Sequence, residues 1–270
     1  MTTLKSIYLS AFAATFLVGQ ASAATILIES NFDGGSTTGP AFQEFDNGQG
    51  TNGTASPATG VISTATDSAN NSNVGMNNVS TVDVTSYTSF TVEWVVDSAT
   101  IDPADITFNG WWFGIGSSTA TNGTAIYANN PGSIGIALVT DAASGRPNSM
   151  SFVQDGGSTV AQTSLGVAEP SQASILDGFT ISMTLNSDDT WSAFSSGLSA
   201  DFSESGSLTD ANGNFLYSDL TSVSTNTSIQ GGELSYTLDS VTLTTVPEPS
   251  SYALLAGLLG LSYVMVRRRS

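Results

Sequence analysis

The sequence predicts an all-β protein, an antiparallel two-sheet sandwich, and three observations predict it. Apolar residues alternate with polar ones at period two in several stretches, the pattern of half-buried strands. Short turn signals separate these stretches: Asp33-Gly34-Gly35, Asn52-Gly53, Pro131-Gly132, Asp155-Gly156-Gly157 and Ser187-Asp188-Asp189. The composition is rich in Ser, Thr, Gly, Asn and Val and poor in Leu, Lys and Glu, which favours strands and turns over helices.

Taken in order, the first strand is expected at residues 25–29. Residues 34–60 read as an extended polar loop with one strand around 42–45. Strands at 60–65 and 79–84 follow. In 90–97, Phe90, Val92, Trp94 and Val96 share one face, while Thr91, Glu93 and Asp97 point to the other. Further strands are expected at 106–115, 133–139 and 149–154. Residues 167–176 could form one or two helical turns, with Pro170 in the first. In 179–186, Phe179, Ile181, Met183 and Leu185 take the inward positions, and Ser187-Asp188-Asp189 joins this strand to 190–194 as a hairpin. The last strand, 233–244, changes parity from Leu234, Tyr236 and Leu238 to Val241 and Leu243. A bulge or bend near Asp239-Ser240 would restore the inward register. There is no internal repeat. A sandwich of this size fits one domain.

The two ends are of a different kind. Lys5 precedes an apolar stretch at 7–18, and Ala21-Ser22-Ala23 supplies a small-x-small cleavage site. That order is the pattern of a secretory signal helix, cut after Ala23. At the other end stand Val246-Pro247-Glu248-Pro249, an apolar run at 252–266, and Arg267-Arg268-Arg269. The run makes about 22 Å of helix, a short transmembrane helix against the roughly 20 residues of a comfortable span. The arginines favour a cytoplasmic C-terminus and leave the body outside the inner membrane. This order of breaker, helix and basic cluster resembles the PEP-CTERM signals of Gram-negative bacteria. The resemblance implies processing by an exosortase-type membrane enzyme. The chain thus divides into a signal peptide (1–23), a β-sandwich domain (24–246) and a sorting tail (247–270).

Charge and composition narrow the chemistry. Of 23 acidic residues only Glu248 falls in the tail, and of five basic residues only Arg146 falls in the body. Such a surface repels nucleic-acid phosphates, so no nucleic-acid partner is expected. The chain has no cysteine and no histidine. Disulfides, Ser-His-Asp and Cys-His nucleophiles and ordinary zinc sites are therefore excluded. Carboxylates, tyrosines or an oxygen-bound metal remain.

The body resembles the concanavalin A-like (LamG-like) jelly rolls in four pieces: Asn31-Phe32-Asp33, the strand at 89–97, the pair at 178–194 and the closing strand at 236–246. The resemblance implies calcium near the first strand, with Asp33 a candidate ligand. Independently, Asp210, Asn212 and Asn214 place oxygens at alternate positions around Gly213, either a calcium loop or an Asx-rich turn. For glycan binding, Trp111 and Trp112 are the best aromatic platforms. Neighbours on a strand face opposite ways, so one of them enters the core, and their spacing leaves open which. Trp191, just past the hairpin tip, is a third candidate, partly exposed.

Catalysis is not expected. Glu93 and Asp97 share a face, but their backbones lie roughly 13 Å apart, too far for a glycosidase pair. The reading is an exported, envelope-sorted surface or extracellular-matrix protein without enzymatic activity, binding a glycan such as exopolysaccharide. A carbohydrate-active enzyme with a dispersed carboxylate site stays open. So does an ice- or surface-binding protein, since such tails also occur in ice-binding proteins and Thr242, Thr244 and Thr245 hint at a threonine row.

The tail yields a first prediction. In a host with the processing enzyme, mass spectrometry of envelope protein should find chains ending near Pro247-Glu248-Pro249. Recovery of only full-length chains ending at Ser270 would count against cutting.

Overall fold

The computed structural model describes residues 24–32, 37–39, 41–46, 53–78, 81–102, 108–116, 133–141, 146–154, 158–164, 174–198, 201–207, 222–247, 260–262 and 264–268. Fourteen strands run in the order β1 (Thr25–Ser30), β2 (Thr37–Thr38), β3 (Phe42–Asp46), β4 (Gly53–Ser56), β5 (Val61–Asn78), β6 (Tyr87–Asp102), β7 (Phe108–Gly116), β8 (Ser133–Asp141), β9 (Arg146–Gln154), β10 (Ser158–Ser164), β11 (Ser174–Asn186), β12 (Thr190–Ser196), β13 (Ser203–Ser207) and β14 (Ser222–Pro247). Every pairing whose register is resolved is antiparallel.

The main strand order is β10-β9-β8-β7-β14-β6-β11-β12-β13. Strand β5 pairs with β14 from Ser224 to Thr237, with a register shift at Gln230/Gly232. The first third of β14 also pairs with β7, from Ser222 to Gln230. One long strand thus serves both halves of the sheet network, and the two halves fold face to face. Phe113 of β7 shows this directly. Its ring centroid lies 6.0 Å from Trp94 of β6, 6.1 Å from Phe179 of β11 and 5.9 Å from Tyr236 of β14. Among the described residues β7 shares no ladder with β6 or β11, so the contacts with Trp94 and Phe179 cross between layers. Edge-on and tilted geometries of this kind add to the area buried.

The inward sets are the expected ones. Phe90, Val92, Trp94 and Val96 are buried, as are Phe179, Ile181, Met183 and Leu185. Glu93 and Asp97 are exposed on the opposite face. In β14 the buried set passes from Tyr236 and Leu238 to Val241 and Leu243 across two residues that stay outside the core, Asp239 and Ser240. The change of parity therefore occurs where the alternation places it.

Several expectations are corrected. Residues 81–84 form no strand, although Val82 and Val84 are buried. Asp83 accepts hydrogen bonds from the backbone N–H (2.9 Å) and hydroxyl (2.6 Å) of Thr85, a local turn that competes with a ladder. Residues 174–176 are not helical. They extend β11, where Ser174 pairs with Ile101 and Leu176 with Ala99. The rest of that expected helix, 165–173, lies outside the described residues. The expected loop at 34–60 holds β2 and β4 besides β3. Strands β10 and β13 were not expected at all: both end the main strand order, and β13, Ser203–Ser207, is polar and largely exposed.

Gly60 closes the turn that joins β4 to β5. Its φ is +69°, and its carbonyl accepts from the Leu238 N–H at 3.0 Å. A Cβ there would overlap the Leu238 carbonyl oxygen. Only glycine meets both conditions.

The sandwich comprises Ile26–Thr245, and the two chain ends form a separate unit. In the latter, residues 260–262 and 264–268 are helical, with Leu261, Met265 and Val266 exposed. The remainder of the apolar run and the whole signal segment, with Ala21 and Ala23, lie outside the described residues. Among the described residues no helix is long and apolar enough to cross a membrane.

Trp94 is fully buried at the centre of the layer contact. Trp94→Ala should cost about 3–5 kcal/mol, the usual range for a large aromatic truncation in a core. Denaturant unfolding measures it, and a loss below about 1 kcal/mol would refute this packing.

Candidate functional site

The outward faces of β6, β11 and β12 form one continuous surface, and its order follows from the register. Ser182 of β11 stands opposite Phe194 of β12 on one side and Glu93 of β6 on the other. One step along, Thr180 stands between Ser196 and Val95. One step the other way, Thr184 stands between Ser192 and Thr91, and the Thr91 and Thr184 hydroxyls are hydrogen-bonded at 2.8 Å. Because the inward positions of these strands are taken by the core, the outward rows fall to Ser, Thr and Glu.

Phe194 and Val95 are the apolar exceptions, and Phe194 is the more exposed. It is 45% exposed, while its neighbours Ala193 and Ser195 are buried. Ser182 beside it is only 1% exposed.

The row of Thr180 and Ser196 borders a shallow, open cavity of about 450 Å³, also lined by Val95, Asp97, Gly197 and Asp239. Gly197 has φ +93°, and a Cβ there would come within 2.7 Å of the Gly178 carbonyl oxygen. A side chain at Gly197 would therefore disturb the cavity wall. Leu198 N–H donates to Asp201 Oδ1 at 3.1 Å, and Phe202 N–H donates to Ser195 Oγ at 3.0 Å, which fixes the chain as it leaves β12. The cavity combines two carboxylates, hydroxyls and a little apolar wall. It can accept hydrogen bonds from a polyhydroxylated ligand, but the described residues around it hold no histidine, cysteine or base paired with a nucleophile.

The residues expected to form sites fare differently. Trp191 is 3% exposed and belongs to the core, which corrects its reading as a partly exposed platform. Its indole covers the backbone of Gly206, its partner on β13, where a Cβ would lie 2.9 Å from the ring. Trp111 and Trp112 lie on β7, opposite Leu138 and Ala137 of β8. Their side chains lie outside the described residues, as do Asp33, Asp210, Asn212 and Asn214. Among the described residues no group of carboxylates is arranged to hold a metal ion. Thr245 is buried and Thr242 and Thr244 are half-buried, so these three make no flat exposed row. In the sorting motif, Val246 is 44% exposed and Pro247 ends β14. Arg267 and Arg268 are exposed on a helix, and Glu248, Pro249 and Arg269 lie outside the described residues.

The Asp188 carboxylate closes the β11–β12 hairpin, as its turn chemistry predicts. The Thr190 hydroxyl donates to it at 2.6 Å and the Thr190 N–H at 3.2 Å, while Asn186 Nδ2 donates to the Thr190 hydroxyl at 2.9 Å. Asp189 takes φ +61° at the tip. The Thr190 hydroxyl bond, aided by the backbone, holds the Asp188 pKa below its ordinary value.

Residues 245–269 match the PEP-CTERM protein-sorting motif. This implies export, envelope sorting and exosortase processing. No curated protein matches the chain by sequence. Among solved structures the chain is similar to lectin I from Ulex europaeus, solved with the methyl glycoside of α-L-fucose (TM-score 0.55, 10% identity, 83% of this chain and 98% of that one). It is similar to arcelin-5, a lectin-like defence protein from Phaseolus vulgaris (TM-score 0.53, 12% identity, 83% and 99%). It is also similar to a lectin from Bauhinia forficata in complex with GalNAc (TM-score 0.53, 11% identity, 83% and 99%). At these identities the likeness is one of fold, the concanavalin A-like jelly roll of the legume lectins.

A lowered carboxyl pKa in the folded state stabilises above the unfolded pKa, and that contribution is lost as pH falls through the folded value. Asp188→Ala should therefore lower the denaturation midpoint at neutral pH, and the gap to wild type should close in acid. Urea unfolding across pH measures this. A gap independent of pH would mean that the charge on Asp188 plays no part.

Proposed function

We propose that this chain is an exported, non-enzymatic glycan-binding protein, anchored in the inner membrane through its C-terminal helix until processing and then released to the cell surface or extracellular matrix of a Gram-negative bacterium. The observation that carries the proposal is the joining in one chain of a PEP-CTERM sorting motif and a lectin-fold body. A sorting tail directs a body to the place where exopolysaccharide lies. A sandwich with a hydroxylated outward face and a carboxylate-bordered cavity supplies acceptors for sugar hydroxyls. The solved structures of similar fold include lectins in complex with galactose and with GalNAc, which supports a sugar ligand here. A lectin role also suits the chemistry of the cavity, since binding a sugar needs acceptors and no nucleophile.

The test is binding of the purified chain, held in detergent, to a panel of immobilised polysaccharides and glycans. Saturable binding to a subset of them is expected. A folded chain that binds none would sink the glycan-binding reading and leave only the sorting assignment.

A further inference from the structure

Resting on the glycan-binding reading, we infer that the ligand is an uncharged pyranose polymer, held on the outward face of β6, β11 and β12 with Phe194 as its stacking platform. Two independent observations meet on this face. The first is a large aromatic ring, nearly half exposed, on a strand whose other outward residues are Thr190, Ser192 and Ser196. A lone exposed apolar residue needs no explanation. This one differs because the second observation lies beside it. The cavity of about 450 Å³ begins one outward row away, at Ser196 and Thr180. Successive outward residues on a strand are about 7 Å apart, and neighbouring strands about 4.8 Å. Ring and cavity are therefore within reach of adjacent residues of one polymer.

The chemistry of the face fits a sugar ring. One side of a pyranose presents C–H groups and its rim presents hydroxyls. The C–H side suits the negative face of the Phe194 ring. The hydroxyl rim suits acceptors on either hand: Glu93, about 10 Å from Phe194 across Ser182, and Asp97 and Asp239 at the cavity. All three carboxylates are exposed.

Charge then selects among polymers. Apart from Glu248 every one of the 23 acidic residues belongs to the body, where Arg146 is the sole basic residue. With Glu93, Asp97 and Asp239 on the binding face itself, a polyuronate or sulfated chain would be repelled both at long range and at contact. Salt screens the first of these over about 8 Å at physiological strength but relieves the contact repulsion far less. A neutral polymer meets neither penalty.

The experiment uses the purified full chain in detergent, titrated with a neutral glucan, a neutral galactan and a polyuronate at low and at physiological ionic strength. Phe194→Ala, Phe194→Tyr and, as a control on a distant exposed residue, Ile26→Ala are compared, with thermal melting and sedimentation for each. Wild type should bind a neutral polymer with little dependence on salt and bind the polyuronate more weakly. Phe194→Ala should weaken neutral binding about tenfold at an unchanged melting temperature, while Phe194→Tyr and Ile26→Ala stay near wild type. Neutral binding that Phe194→Ala leaves intact overturns this site and moves glycan binding elsewhere on the body. Tighter binding of the polyuronate overturns the charge argument. Self-association that Phe194→Ala abolishes without glycan assigns the face to a second copy. Absence of binding to all three polymers by folded wild type overturns this inference. If the wider panel is bound while these three are not, the glycan-binding reading itself survives.

Discussion

Apolar burial between two β-layers is the constraint on which the rest of the structure depends. The chain has no cysteine to cross-link, and the body has one basic residue to set against its carboxylates. Neither disulfides nor an ion-pair network can hold it together. Contacts such as Phe113 against Trp94, Phe179 and Tyr236 must do so, and the first two join β7 to β6 and β11 across the gap between layers. The indole N–H of Trp94 is buried with no acceptor among the described residues. That is a cost, and the packing of the ring must exceed it.

The same constraint shapes the outward face. A strand has only two faces, and once one is committed to the core, each remaining residue is displayed in a fixed row. The rows Ser192–Thr184–Thr91, Phe194–Ser182–Glu93 and Ser196–Thr180–Val95 are therefore by-products of the buried rows beside them. A slip of one residue between β11 and β12 would put Trp191 in water and Phe194 in the core. The hairpin clamp made by Asn186, Thr190 and Asp188 opposes such a slip, so a turn remote from the cavity helps to set its composition.

The sorting motif and the sandwich lie in separate parts of the chain. The sandwich is one compact unit and the chain ends another. The tail has arginines and an apolar run, while the body has almost all of the carboxylates. The basic cluster suits a membrane surface and the body does not.

Much of the fold was legible in the sequence because alternation reports burial locally. The inward sets of β6, β11 and β14, the hairpin at Ser187-Asp188-Asp189 and the change of parity near Asp239-Ser240 could all be read without coordinates. So could the sorting motif, whose order of residue types is its meaning. Alternation misled at Val82 and Val84, which are buried from an irregular segment, because burial does not require a ladder. It was silent for the polar strands β10 and β13 and for residues 71–78 of β5, where the partner strands supply the hydrogen bonds and the side chains give no sign of it. The candidate site was the least legible. Trp191 had the right chemistry and proved to be core, whereas Phe194, three residues on, faces out. Sequence determined which residues alternate. Tertiary structure alone decided which strands lie side by side and which of them meet across the layers, because pairing between residues distant in the chain leaves no mark on the pattern of either strand.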